Sequence, residues 1–424
     1  MSALRSEGDA PSASPDRGRC SGGTKDSDAP PPGSISRLVS NVRTQGLGWL
    51  RSRLDEELTV PRTGAGKKFH ALSRRALGVA LVVPRHVRHW LAGRFPDATV
   101  TLFAFYDLKV SPITFDFLWF LVGADLHRRR SGLKSVHVVI VPGPYDGLRR
   151  EREDYEQVID ATARQARIYN ILAQSTRLLP SCAGLTVAAS RAEASALRSA
   201  IACNVFPTNY EPLLPIHPGP GECLDAARCG DKKIGALRAP DAELRGANRW
   251  AELHAGDRRL VTISLRNYSY MSARNSNIPA WAEFARSLDS SRYVPVFIPD
   301  TDDTIGGMPR ELDGLLTLPE AAWNVALRMA LYERAFLNLG VNSGPMGMCW
   351  LNGRTRYASL KMETATVPQT TIDYFRELGF EPGGSLPFAT PVQEWVWEDD
   401  TSDAIKRTFE RLVERIENQL GQQR

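Results

Sequence analysis

The 424-residue sequence has no closely spaced cysteine pair: Cys20, Cys182, Cys203, Cys223, Cys229 and Cys349 are scattered, and none forms a C-x-x-C. That excludes thioredoxin-type and zinc-ribbon patterns, and Cys223 and Cys229 with His217 nearby match no standard zinc spacing. An apolar export signal is missing from the start, so the thiols read as reduced and the expected location is the cytoplasm. Long apolar runs are missing too. The nearest, "ALGVALVVP" at 76–84, falls well short of the roughly eighteen residues a spanning helix needs. A strong charge of either sign is also lacking. A net charge of +5 does not suggest a dedicated nucleic-acid binder. What is present is globular: 42% hydrophobic and 24% charged residues, in a length comfortable for two domains.

The first 34 residues are Ser, Gly, Pro, Asp and Ala with little to bury, and read as a disordered tail. Residues 35–95 form a basic segment, with Arg37, Arg43, Arg51 and Arg53 flanking an apolar stripe from Leu38 to Leu54 at helical spacing. Gly46 and Gly48 weaken that helix by about 1 kcal/mol each. Such a helix fits packing on the protein body, and it also fits reversible attachment to an anionic membrane surface on the inner face.

From residue 99 apolar strands alternate with helices. "TVTLFAFYD" (99–107), "SVHVVIVPG" (135–143) and "GLTVAAS" (184–190) read as buried strands. Helices are expected over 111–130, with Ser111 capping and Pro112 at the first position, over 153–179 and over 191–201. A Pro- and Gly-rich connection follows at 207–257, with a short helix expected near Pro240 to His254. The alternation resumes with strands at 258–267, 293–300, 335–341 and 356–362 and helices at 278–289, 320–335, near 345–352 and at 370–380; a charged helix closes the chain at 401–424. The expected fold is α/β, two doubly wound Rossmann-like domains, 96–206 and 258–400, facing a cleft at the carboxyl ends of their strands.

Three stretches carry candidate chemistry. Asn342, Ser343, Gly344, Pro345 and Met346 stand where a strand gives way to a helix, and free N–H groups at such a start attract phosphate. Ser343 suits capping, Pro345 the first helical position, and Gly344 a close anion approach; an ordinary capped turn uses the same residues. In "TISLRNYSYMSARNSN" (262–277), Arg266 ends a strand and offers a planar fork to phosphate, with Arg274, Asn275 and Asn277 extending the polar surface. In "VFIPDTDD" (296–303), Asp300, Asp302 and Asp303 suit a ribose hydroxyl, a divalent ion or plain solvation.

The second block, over roughly 258–365, resembles the C-terminal domain of GT-B glycosyltransferases. It is most similar to the lipopolysaccharide heptosyltransferases and related surface-polysaccharide transferases. The resemblance implies that the Asn342–Met346 turn addresses the donor's nucleotide diphosphate and that Arg266 meets its phosphates. It further implies that no metal or other cofactor is needed, and that the acceptor-side base follows the first strand, where Asp107 is the positional match. Two departures are Asn342 in place of an acid, and Met348 or Cys349 in place of a histidine. The implied partners are a nucleotide-sugar donor and a glycan or lipid-linked acceptor. A catalytically silent binder of the same fold and a nucleotide-sugar epimerase stay open as alternatives.

Overall fold

The computed structural model describes residues 100–201 and 203–422, together with helical positions between 68 and 91. The tail 1–34, the Leu38–Leu54 stripe and its flanking arginines lie outside the described residues. Among the described residues no helix is long and apolar enough to cross a membrane.

Two parallel sheets organise the chain. The first holds β1 (Thr101–Asp107), β2 (Ser135–Val141), β3 (Cys182–Val187) and β4 (Val205–Phe206), in the order β3-β2-β1-β4. β1 and β2 run in register from Thr101 opposite Ser135 to Asp107 opposite Val141. The second holds β5 (Arg259–Ser264), β6 (Tyr293–Ile298), β7 (Leu337–Val341), β8 (Tyr357–Leu360) and β9 (Gln393–Trp395), in the order β6-β5-β7-β8-β9. Apolar strands of this kind are expected where helices cover both faces. Leu339 and Val341 on β7 are wholly buried, as are Phe105 and Tyr106 on β1. Both sheets are doubly wound, as expected.

Several helices differ from the sequence reading. The first begins at Phe117 and runs to Arg130, not from Ser111. Residues 108–116 are held as a loop by Asp107, whose carbonyl accepts from the Val110 and Ser111 amides, and by the Tyr106 hydroxyl, which donates to the Pro112 carbonyl at 2.6 Å. The helix expected at 153–179 is broken. Its middle starts afresh at Ala161, because the Asp160 side chain accepts from the Ala163 amide at 2.7 Å, and it continues through a π-helical stretch, Ile168–Ala173. The helix expected at 320–335 divides at Asn324, whose side chain caps Val325–Arg334 by accepting from the Leu327 amide. Strands β4 and β9 were not anticipated at all.

The connection between the sheets contains two helices, Gly221–Arg228 and Asp241–Ala255. Ala247, Ala251 and Ala255 make one small-residue face on the latter, which packs against helix Val325–Arg334. Cys223 is part of this core, where burial lifts its thiol to about 12. The closing helix, Ser402–Gln422, covers the second sheet: Phe409 stands edge-on to Phe284 at 5.3 Å and to Tyr293 at 5.2 Å, with Ile405, Leu412 and Ile416 buried alongside.

Candidate active site

In a doubly wound sheet, ligands bind beyond the carboxyl ends of the strands, at the point where the strand order reverses. In the first sheet that point lies between β1 and β4, and the loops leaving it are 108–116 and 207–220. In the second it lies between β5 and β7, with loops 265–277 and 342–346. These loops meet. A Cβ placed on Gly344 would stand 2.9 Å from Cδ2 of Phe115, and one on Gly347 would stand 3.4 Å from Leu118. The 265–277 loop also meets two helices that follow β2, where Arg167 donates to the Tyr268 hydroxyl at 3.0 Å and the rings of Tyr155 and Tyr270 meet edge-on at 5.1 Å. The two switch points thus lie beside each other.

On the first-sheet lip, Asp107 is not available to a substrate. It is fully buried, its two oxygens accept from Arg191 at 2.7 and 3.0 Å, and it also accepts from the Tyr210 hydroxyl and the Lys109 amide. Its lone pairs knit β1 to the loop that follows β4 and to the start of helix Arg191–Ala200. This corrects the assignment of Asp107 as base. The carboxylate that reaches solvent here is Asp116, one residue before helix Phe117–Arg130, held by a 2.9 Å hydrogen bond from Thr114 Oγ1. The helix start expected at Ser111 would enclose Asp116; the observed start at Phe117 leaves it in the preceding loop.

On the second-sheet lip, Arg266 also departs from expectation. Its Nη2 donates to the Tyr270 carbonyl at 2.5 Å, and its Nη1 donates to the Met271 carbonyl and to Asn275 Oδ1. Asn275 is engaged in the same loop, accepting from the Tyr268 amide and donating to the Tyr268 carbonyl. Both residues fold the 266–276 loop back on itself. The side chain this fold presents is Arg274. Its Nη2 donates to the Asn342 carbonyl at 3.0 Å, while its Nε is buried with no partner among the described residues. Burial first, then the nearby Arg266, push its pKa down to about 10, with Asp116 and Tyr374 opposing. Burial and a neighbouring like charge both disfavour this cation.

The turn after β7 is built differently from a phosphate cradle at a long helix. Residues Gly344–Met346 form one 3₁₀ turn and Gly347–Trp350 one α turn, so little dipole accumulates. Met346 is wholly buried, and Asn342 donates from Nδ2 to the Met362 carbonyl at 2.9 Å; both hold the turn rather than face a ligand. Ser343 makes no capping bond, and Pro345 is half-buried. Glycine is needed at 344 because the Phe115 ring lies there. Gly344→Ala should therefore cost about 1–3 kcal/mol of stability in urea titration, as overpacking does, and Phe115→Ala in the same chain should relieve it. A Gly344→Ala protein as stable as the parent would refute this packing.

Of the acidic run, Asp300 caps helix Thr301–Gly306 and accepts from the Asn267 amide at 3.1 Å. Asp303 accepts from Asn267 Nδ2 at 2.7 Å, and its other oxygen is buried with no partner among the described residues. Asp302 is exposed; burial and Asp300 raise its pKa, while Arg167 lowers it. Among the described residues no group of three or more His, Cys, Asp or Glu is arranged to hold a metal ion.

No family model and no curated protein matches the chain. Among solved structures, a glycosyl transferase family 9 protein from Veillonella parvula aligns at 10% identity with a TM-score of 0.43, covering 74% of this chain and 97% of that one. ADP-heptose lps heptosyltransferase II from E. coli aligns at 13% identity and 0.32, covering 82% and 81%. Fucosyltransferase NodZ from Bradyrhizobium aligns at 12% and 0.26, covering 60% and 94%. At these scores and identities none of them decides what this chain does.

Proposed function

We propose that the chain is a glycosyltransferase of GT-B type. It moves a sugar from a nucleotide-activated donor to a hydroxyl of a glycan or lipid-linked acceptor. The observation that carries the reading is the meeting of two switch-point crevices, with the unneutralised Arg274 on one lip and the exposed Asp116 on the other. Donor diphosphate binds against Arg274, with the hydroxyl of Ser343 and the 266–276 loop braced by Arg266 beside it. Asp300, Asp302 and Asp303 stand at the β6 end of the same lip, suited to ribose hydroxyls. In the transfer the acceptor oxygen attacks the anomeric carbon and loses its proton to the first-sheet lip. The anomeric carbon–oxygen bond to the diphosphate breaks, and the nucleoside diphosphate departs with the electron pair.

The test is a thermal-shift screen of nucleoside diphosphates and nucleotide sugars, since binding to the folded state raises its apparent stability. Release of nucleoside diphosphate from the sugar that shifts most then separates an enzyme from a silent binder. The guanidinium of Arg274 supplies the charge that a metal would. Activity is accordingly expected to survive EDTA; loss in chelator with recovery on adding magnesium or manganese would return the Asp300–Asp303 run to a metal role.

A further inference from the structure

One group on the crevice has no part in the scheme above. His217 lies in the loop that leaves β4, on the far side of the first switch point from Asp107. Its Nδ1 shares a 3.1 Å hydrogen bond with Ser111 Oγ, a residue 106 positions earlier in the loop that leaves β1. Ser111 is itself buried, with its amide donating to the Asp107 carbonyl. The imidazole edge faces the Tyr106 ring at 6.3 Å, and Tyr106 is fixed by its own bond to Pro112. The buried Pro215 and Pro218 flank the residue and limit its backbone. Nδ1 is thus occupied and the ring is oriented; the residue retains exposed surface although its ring is partly covered, and among the described residues Nε2 makes no hydrogen bond. A surface histidine with no task needs none of this support.

We propose that His217 is the proton acceptor of the transfer and that Asp116 stabilises the imidazolium it becomes. The proposal rests on the glycosyl-transfer reading. The acceptor O–H proton passes to Nε2 as its oxygen bonds to the anomeric carbon; the nucleoside diphosphate leaves with its electron pair, and the imidazolium later returns the proton to water. The charges facing the ring are Asp116, which raises its pKa, and Arg149, which lowers it; the partial covering of the ring by Tyr106 and Ser111 is the largest influence and lowers it. Arg149 is anchored on Glu151 and the Val110 carbonyl, so its charge is fixed in place. The net direction, below the ordinary histidine value of 6.5, leaves the imidazole neutral at pH 7 and ready to accept. A neutral imidazole is a better general base than an exposed carboxylate, which is too weakly basic at that pH.

The experiment follows nucleoside diphosphate release by the full chain from the nucleotide sugar found in the screen, against pH, with water as acceptor, together with calorimetric donor affinity. His217→Gln should lower kcat by about 10²- to 10⁴-fold, the usual worth of a general base, and abolish the acid limb below pH 6.5 while leaving donor affinity unchanged. Asp116→Asn should keep the limb and move it to lower pH, because a raising charge has gone. A His217→Gln enzyme with the parental rate and limb overturns the proposal alone, as does an Asp116→Asn enzyme in which the limb disappears. Loss of donor affinity in His217→Gln would make it a structural residue and equally overturn it. A parent protein that binds nucleoside diphosphates but releases none from any nucleotide sugar overturns the transfer reading, and this proposal with it.

Discussion

Asp107→Ala is expected to destabilise the protein by about 3–5 kcal/mol, the range for breaking a buried ion pair by removing one partner. The carboxylate has no exposed surface, and three side-chain hydrogen bonds converge on it, two from Arg191 and one from the Tyr210 hydroxyl. Its removal takes the carboxylate from a guanidinium that also donates to the Pro142 and Pro212 carbonyls. It also strands a phenol beside the Phe105 ring, against which Tyr210 is stacked at 4.7 Å. The Asp107→Asn change keeps one acceptor oxygen and should cost less. Urea midpoints of the three proteins test this. A base at this position predicts the opposite pattern, with normal stability and lost turnover. An Asp107→Ala protein as stable as the parent would remove the structural role assigned here.

Arg274→Ala is expected to weaken nucleoside diphosphate binding by about 1.5–3 kcal/mol, the range for hydrogen bonds to charged groups and roughly 10- to 150-fold in affinity. The same change should leave the unliganded protein no less stable. The guanidinium makes one good bond, to the Asn342 carbonyl, while its Nε has no partner among the described residues and its charge is disfavoured by burial and by Arg266. Arg274→Met, which keeps the aliphatic bulk, is the cleaner variant, since the long stem packs as well as charges the crevice. Arg266→Ala makes a useful contrast. Its guanidinium binds the Tyr270 and Met271 carbonyls, so its loss should loosen the loop and reduce both stability and affinity. Calorimetry and thermal melts on each variant separate the two arginines. Unchanged affinity in a folded Arg274→Met protein would refute the donor-phosphate role.

Much of the architecture was legible in the sequence. β1, β2, β5, β6, β7 and β8 are apolar runs buried on both faces, and burial alone writes such runs. The closing helix shows its Ile405, Leu412 and Ile416 face at helical spacing. Neither β4, with two residues, nor β9, with three, is long enough to show a period. Their place comes from pairing with β1 and β8.

The site was legible as a region and not as a set of roles. The sequence placed Asp107, Arg266, Arg274 and the Asn342–Met346 turn at strand ends, which is where the crevice lies. Which of them faces it was decided by how each loop folds. Arg266 and Asn275 turn inward to donate to backbone carbonyls seven residues away or fewer, and Arg274 is the arginine the loop leaves unclaimed by its own carbonyls. Asp107 is drawn inward by Arg191, 84 residues away, and His217 is set by Ser111 at a separation of 106. Local chemistry in a sequence marks what a residue could bind. In a buried or half-buried place a charge takes whichever partner the fold brings within about 3 Å, and that choice belongs to the tertiary structure.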